Sequence, residues 1–320
     1  MGINVTKPGL LSSIQDLGRN GYRKDGIIVG GAMDGLALRI GNLLIGNAED
    51  TAGIECTLMG PELLFESAQL ICITGGDLSP RIDQEPVKMW RPVFVKKGAV
   101  LSFGAGVLGC RTYITASGGF KLPLVLGSHA TYIKAGFGGF KGRALKKGDF
   151  LEFANPYTGA QARSNWSADL SKLYPGIQDP VIRIIPGPEY DWFTEEAKQA
   201  LQHQDFKLST AADRMGYQLE SVELPLKQAR ELLSSAVAFG TLQVTGKGSP
   251  ILLMADHQTT GGYPRIAQVI SADFSLLAQK RPGEQIRFKL VTVEEAHALL
   301  QQRAKQFKQL KHTLMVKGIL

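Results

Sequence analysis

Five hydrogen-bonding side chains, two glycines and a tyrosine follow one another in the stretch Asp256-His257-Gln258-Thr259-Thr260-Gly261-Gly262-Tyr263, directly after an apolar run from Pro250 to Ala255. The apolar run reads as a strand, and a strand that opens into a polar, glycine-bearing loop is a common way for a fold to present reacting groups. An aspartate next to a histidine can orient an imidazole or accept a proton, while the amide of Gln258 and the hydroxyls of Thr259 and Thr260 can bind an amide or a carboxylate. Asp256, His257, Gln258 and Tyr263 are therefore candidate catalytic residues, with Thr259 and Thr260 as candidate substrate contacts. The same letters also fit an Asx-type turn in which Asp256 and the threonines satisfy only local backbone groups.

Two further turns add charge. In Gln15-Asp16-Leu17-Gly18-Arg19, Arg19 can fork onto a carboxylate or phosphate and, with Asp16, form a second wall of the same cleft; equally, the two can close a local salt bridge. In Asp213-Arg214-Met215-Gly216-Tyr217 a guanidinium precedes a flexible glycine, which fits either a substrate contact by Arg214 or a surface β-turn. His129, in Gly127-Ser128-His129-Ala130-Thr131, and the glycine-rich Gly136 to Arg143 also draw attention. Neither has the lysine-plus-hydroxyl ending of a phosphate loop or a dinucleotide fingerprint, so ATP binding by this chain alone has no motif behind it. HExxH, paired CxxC and Gly-x-Ser-x-Gly are missing, so zinc and serine hydrolase chemistry lack their signals and no metal site is expected.

The elements that must position these groups read mostly as strands. Leu63–Phe65, Leu70–Thr74, Val93–Val95, Val100–Phe103 and Thr112–Ala116 are apolar or β-branched runs broken every 8 to 12 residues by Gly, Pro, Asp or Lys, the spacing of a barrel or sandwich. Lys97-Gly98 and Lys147-Gly148-Asp149 read as hairpin turns. One helix is expected from Asp34 to Ile45, capped by Asp34 and striped by Leu36, Ile40, Leu43 and Leu44. Another is expected near Thr194 to Leu201, and a closing one from Val293 to Leu310, where Ala296, Leu299, Leu300, Ala304 and Phe307 recur at helical intervals.

At 320 residues the chain is long for one core, and two domains are the default. The polar, proline-bearing stretch from Asn155 to Pro180 is the natural linker. It divides the chain into 1–170, 171–292 and a closing helix and tail, 293–320. The segment from Gln15 to Asp34 parallels that from Asp256 to Asp273 in order: a polar turn bearing Gly and Tyr, an Ile/Val run, then an Asp able to cap a helix. That parallel suggests two related β-domains.

Composition closes off other classes. The net charge of +7 is spread, densest from Arg303 to Lys317, with no aromatic-interleaved stripe, so solvated surface is expected and not a nucleic-acid partner. No apolar run is long enough for a signal peptide or a membrane span, which points to the cytoplasm. The three cysteines, Cys56, Cys72 and Cys110, lie apart in apolar strands and read as buried thiols.

Taken in order, Ser13-Ile14-Gln15-Asp16-Leu17-Gly18-Arg19, Gly31-Ala32-Met33-Asp34, Glu55 to Pro61, Gly109-Cys110-Arg111-Thr112-Tyr113 and Ala255 to Pro264 resemble the C-subunit family of 5-oxoprolinase. That family also includes KipA and a segment of urea carboxylase, and the resemblance runs from about Lys7 to Phe288. It implies a mainly β fold of two cyclophilin-like β-barrel domains with a few short helices. It implies two partner proteins too, one KipI-like and the other LamB/YcsF-like, and a small-molecule substrate: 5-oxo-L-proline, opened to L-glutamate with ATP as co-substrate of the complex. Two alternatives come with it, a KipA-type regulatory protein that binds a KipI-like kinase inhibitor and a component of a biotin-dependent carboxyltransferase. The chain has no Met-Lys-Met signature, so covalent biotin is not expected.

Overall fold

The residues of the computed structural model that can be described are 1–155, 157, 169–174 and 176–320; Pro156, Gly159, Ser164, Ser167 and Pro175 of the expected linker lie outside them. The chain is mainly β and divides into two compact units. One comprises Met1–Arg19, Gly30–Ile177 and Gln306–Leu320, the other Asn20–Val29 and Gln178–Lys305. The boundaries differ from those read off the sequence: the first unit runs on to Ile177 instead of ending at 170. Ten residues after Arg19 belong with the second half of the chain, and the closing helix is shared between the units instead of standing apart.

The first unit contains β1 (Gly2–Lys7), β2 (Leu11–Gln15), β3 (Gly53–Thr57), β4 (Glu62–Phe65), β5 (Gln69–Asp77), β6 (Pro80–Ile82), β7 (Glu85–Pro86), β8 (Pro92–Val95), β9 (Val100–Phe103), β10 (Leu108–Ala116) and β11 (Phe150–Glu152). They form two sheets, ordered β11-β1-β4-β9-β6-β7 and β2-β3-β10-β5-β8. Alternation along the strands decides the packing, because successive side chains point to opposite faces. Ile3, Val5, Leu63, Phe65 and Leu101 from one sheet share a core with Ile14, Ile54, Ile71, Ile73 and Ile114 from the other.

The opposite face of the five-stranded sheet carries Cys72 and Tyr113, and against it lies α1 (Gly35–Leu44). Asp34 caps this helix as expected, its Oδ1 accepting from the Ala37 amide at 3.1 Å. Gly31 makes the entry possible: at φ +84° a side chain there would sit 2.6 Å from the Gly18 amide nitrogen. The cysteines are buried thiols, and burial pushes those of Cys56 and Cys72 well above the usual range.

A buried polar cluster pins the start of α1 to the sheet. Tyr113 donates to Glu55 Oε2 at 2.7 Å, Glu55 Oε2 accepts from the Met33 amide at 2.9 Å, and the Tyr113 hydroxyl accepts from the Asp34 amide at 2.8 Å. Burial, then the charges of Glu55 and Asp34, hold the Tyr113 phenol above its ordinary value. Tyr113→Phe leaves the Glu55 carboxylate and the Asp34 amide each short of one partner. It should cost about 1–3 kcal/mol, read as a lower urea midpoint with an unchanged slope.

The second unit contains β12 (Val181–Pro186), α2 (Glu195–His203), β13 (Asp205–Leu208), β14 (Gly216–Glu220), β15 (Ser235–Ala236), β16 (Thr241–Val244), β17 (Pro250–Leu253), β18 (Thr260–Gly261), β19 (Arg265–Val269), α3 (Phe274–Ala278) and β20 (Gln285–Leu290). Seven strands close into a barrel in the order β12-β19-β16-β17-β14-β13-β20. Only the β12–β20 seam is parallel. Phe206 and Phe288, with ring centroids 5.0 Å apart, help to fill the interior. Thr194 caps α2 through a bond from the Ala197 amide at 3.2 Å. The closing helix, α4 (Val293–Val316), runs past the expected end at Leu310.

Candidate active site

The antiparallel pair β14–β17 sets up the loop that the sequence singles out. Its last barrel rung joins Gly216 to Leu253, and the ribbon continues through Met254 N–H to the Met215 carbonyl at 3.0 Å and Asp256 N–H to the Arg214 carbonyl at 2.8 Å. Arg214 and Asp256 therefore leave the ribbon side by side. Arg214 donates through Nε to Asp256 Oδ2 and through Nη2 to Oδ1, both at 2.8 Å, with each side chain 6% exposed. The Arg214 guanidinium, read from the sequence as a substrate contact or part of a surface turn, is thus engaged on a carboxylate of the chain itself.

His257 follows directly and is 6% exposed. Its Nδ1 lies 2.6 Å from the Gln258 carbonyl oxygen. A carbonyl can only accept, so Nδ1 carries the hydrogen and Nε2 is left with its lone pair. Burial, helped by the positive charge of Arg23 and opposed by the Gln258 carbonyl and Asp256, holds the imidazole pKa below the ordinary histidine value. The ring is neutral at neutral pH and basic at one nitrogen, the form a proton acceptor needs.

A short ribbon holds the rest of the loop. Ser235 and Ala236 of β15 pair with Gly261 and Thr260 of β18, and the Val237 amide donates to the Thr259 carbonyl at 3.2 Å. Two guanidiniums hold adjacent carbonyls of this segment. Arg265 Nη1 donates to Ala236 at 2.9 Å, and Arg23 Nη2 donates to Val237. Arg265 is itself fixed by Glu189 in a two-pronged pair at 2.8 and 2.7 Å. Burial alone would raise the Glu189 carboxyl, yet the bonds from Arg265 carry it below its usual value. Gly261 packs closely on Gln243, whose Nε2 would lie 2.5 Å from a side chain there and donates to the Tyr263 carbonyl at 3.2 Å. Tyr263 is 47% exposed and borders a groove of about 870 Å³ with Gln218, Glu220, Lys247 and Ile251.

Asp256, His257, Gln258, Thr259, Thr260, Tyr263 and Arg214 thus gather in the second unit. Gln258 and Thr260 are exposed and Thr259 is half-buried. Asp16 and Arg19 belong to the first unit. There, Asp16 accepts from the Gly18 amide at 2.8 Å, the Ser128 hydroxyl at 2.8 Å and the His129 amide at 2.6 Å. Arg19, fully buried, donates to the carbonyls of Val125 at 3.0 Å and Ala130 at 2.8 Å and lies over the Phe137 ring. Among the described residues, no group of three or more His, Cys, Asp or Glu side chains is placed to hold a metal ion.

Sequence reasoning passed over Arg23, Glu189, Gln243 and Arg265. Gln243 carried a readable signal, a polar residue in the apolar strand Leu242-Gln243-Val244, because buried polar side chains need a partner. Arg23 carried none, since its partner is 214 residues away.

Comparison with known proteins places this chain in a family. The model of the carboxyltransferase domain, subdomain A and B, matches residues 25–290. The 5-oxoprolinase C-subunit of Haemophilus influenzae is 42% identical over 288 residues, covering 90% of this chain and 91% of that protein. That of Escherichia coli K12 is 38% identical over 309 residues, covering 96% and 97%. The crystal structure of the K. lactis urea amidolyase superposes with a TM-score of 0.87 at 27% identity, over 97% of this chain and 20% of that one. With the domain model matching most of this chain and relatives of matching extent on both sides, the chain belongs to the carboxyltransferase-domain family of subdomains A and B and, within it, to the group of 5-oxoprolinase C-subunits.

Proposed function

We propose that the chain is the C-subunit of an ATP-dependent 5-oxoprolinase, working with a KipI-like protein and a LamB/YcsF-like protein to hydrolyse the lactam of 5-oxo-L-proline to L-glutamate. The observation that carries this reading is the near end-to-end likeness to two proteins named as 5-oxoprolinase C-subunits. ATP is a co-substrate of the complex, and biotin is not carried covalently by this chain. An unstrained lactam is a poor electrophile, and phosphorylation of its oxygen supplies a leaving group. Water attack then needs a positioned base, and His257 Nε2 is that base in this reading. Asp256 and Arg214 hold the loop that bears it, while Gln258, Thr259, Thr260 and Tyr263 contact the substrate's amide and carboxylate. Asp16 and Arg19 shape the 125–130 loop of their own unit.

Among the described residues no helix is long and apolar enough to cross a membrane; an ATP-consuming complex of this kind would act in the cytoplasm. The family name and the urea amidolyase likeness favour one second reading, a carboxyltransferase component served by biotin on another protein.

A single assay separates the two. The purified chain alone should release negligible glutamate and phosphate from 5-oxoproline and ATP, and addition of the two partner proteins should start turnover. Turnover by the chain alone would sink the reading of it as one part of a complex. A rate that requires bicarbonate and a biotinylated carrier, with 5-oxoproline untouched, would replace it with the carboxyltransferase reading.

A further inference from the structure

We propose that Arg23 is a positioning residue for His257, acting through the 235–237 strap and the 259–261 segment paired with it. The inference rests on the role proposed above for His257 and adds to that site a residue from a distant part of the sequence.

The strap is too short to hold itself. Its ladder has two rungs, Ser235 with Gly261 and Ala236 with Thr260, and two strands of that length have little independent stability in water. It is held instead at its carbonyls. The Ala236 oxygen is held by Arg265, which Glu189 fixes. The Val237 oxygen is held by Arg23, which sits in a single 3-10 turn, Arg23–Asp25. From Val237 the path to the imidazole is short. The Val237 amide donates to Thr259, and the residue before Thr259 is Gln258, whose carbonyl fixes the His257 tautomer. Loss of the Arg23 bond frees one end of the strap and, through it, the acceptor that orients the ring.

Charge gives the arrangement a separate signature. The charged groups that act on the imidazole are Asp256 on its own loop, which favours the protonated ring, and Arg23, which disfavours it. Arg214 is occupied on Asp256. Behind the larger contribution of burial, Arg23 thus helps to keep His257 neutral, and its removal should make the ring easier to protonate.

The test is a ring-carbon NMR titration of the isolated full-length chain, with the His257 signal assigned by its loss in His257→Gln. In Arg23→Met the His257 titration should move to higher pH, and in Arg23→Lys, which restores the charge, it should return toward the wild-type position. Should Arg23→Met fail to fold, Arg23→Gln serves, since it keeps a donor for Val237 without charge and should shift the titration in the same direction. In the reconstituted complex Arg23→Met should lose up to about 10²-fold in rate, the scale of a small misplacement of reacting groups, with the acid limb of its pH profile moved upward. An unchanged His257 titration in a folded Arg23→Met protein would overturn the proposal. Because the titration needs no substrate, failure of the 5-oxoproline assay would be recognised separately, as failure of the proposed function.

Discussion

Replacing His257 with glutamine is expected to lower turnover of the reconstituted complex by about 10²-fold or more, the usual contribution of a general base, while the chain stays folded. Glutamine sets an uncharged amide nearest the Nε2 position and has no basic nitrogen there, so the loss would report the basic lone pair. The wild-type rate should fall off on the acid side at a pH below the ordinary histidine value of about 6.5, because burial depresses the ring's pKa. In His257→Gln that limb should disappear from the residual rate. Stability provides an independent reading of the same group. As pH falls through the unfolded-state value, the unfolded chain takes up a proton that the native imidazole resists, so the native state loses stability over that interval. The variant lacks this component and should show a shallower loss from pH 7 toward pH 5. Full specific activity in His257→Gln would remove the imidazole from the mechanism.

What the sequence allowed and what it withheld differ by range. The loop from Asp256 to Tyr263 was legible because it is local: an apolar strand ends, and polar groups crowd beside glycines. The caps at Asp34 and Thr194 were legible for the same reason, since a capping side chain reaches only three residues ahead. Pairing partners were not. Nothing near Arg214 indicates that its fork closes on a carboxylate 42 residues on, nor near Arg23 that it bonds to the Val237 carbonyl. The division into units shows the same limit. Asn20–Val29 follows Arg19 without a break in composition, yet it belongs with the second half of the chain, a consequence of tertiary contacts that periodicity does not encode. The parallel between the Gln15 and Asp256 turns does not extend to bonding: Asp34 caps a helix, whereas the Asp273 carboxylate caps none and is taken up by Arg183. Asp256 binds a guanidinium, whereas Asp16 binds two amides and a hydroxyl.

The Asp256–Arg214 pair should prove to be the support of the loop, and a double-mutant cycle measures this directly. Removing one member of a buried ion pair strands the other's charge in a poorly solvated place, at a cost of about 3–5 kcal/mol. Both side chains here are 6% exposed and joined by two bonds at 2.8 Å. Asp256→Asn and Arg214→Met should each lower the unfolding free energy from urea titration by an amount on that scale. The double variant strands no charge, so its loss should be well short of the sum of the single losses. Additivity within about 0.5 kcal/mol would show that the two do not act as a unit. The rate per folded molecule carries the functional half of the claim. If the pair only stabilised the barrel, each variant's folded fraction would turn over at the wild-type rate. If it places His257, Asp256→Asn should cost up to about 10²-fold in rate even where the chain is fully folded. The double variant, with its stability partly recovered, should remain slow, because neither asparagine nor methionine can rebuild the two-pronged contact that fixes the residue preceding the imidazole.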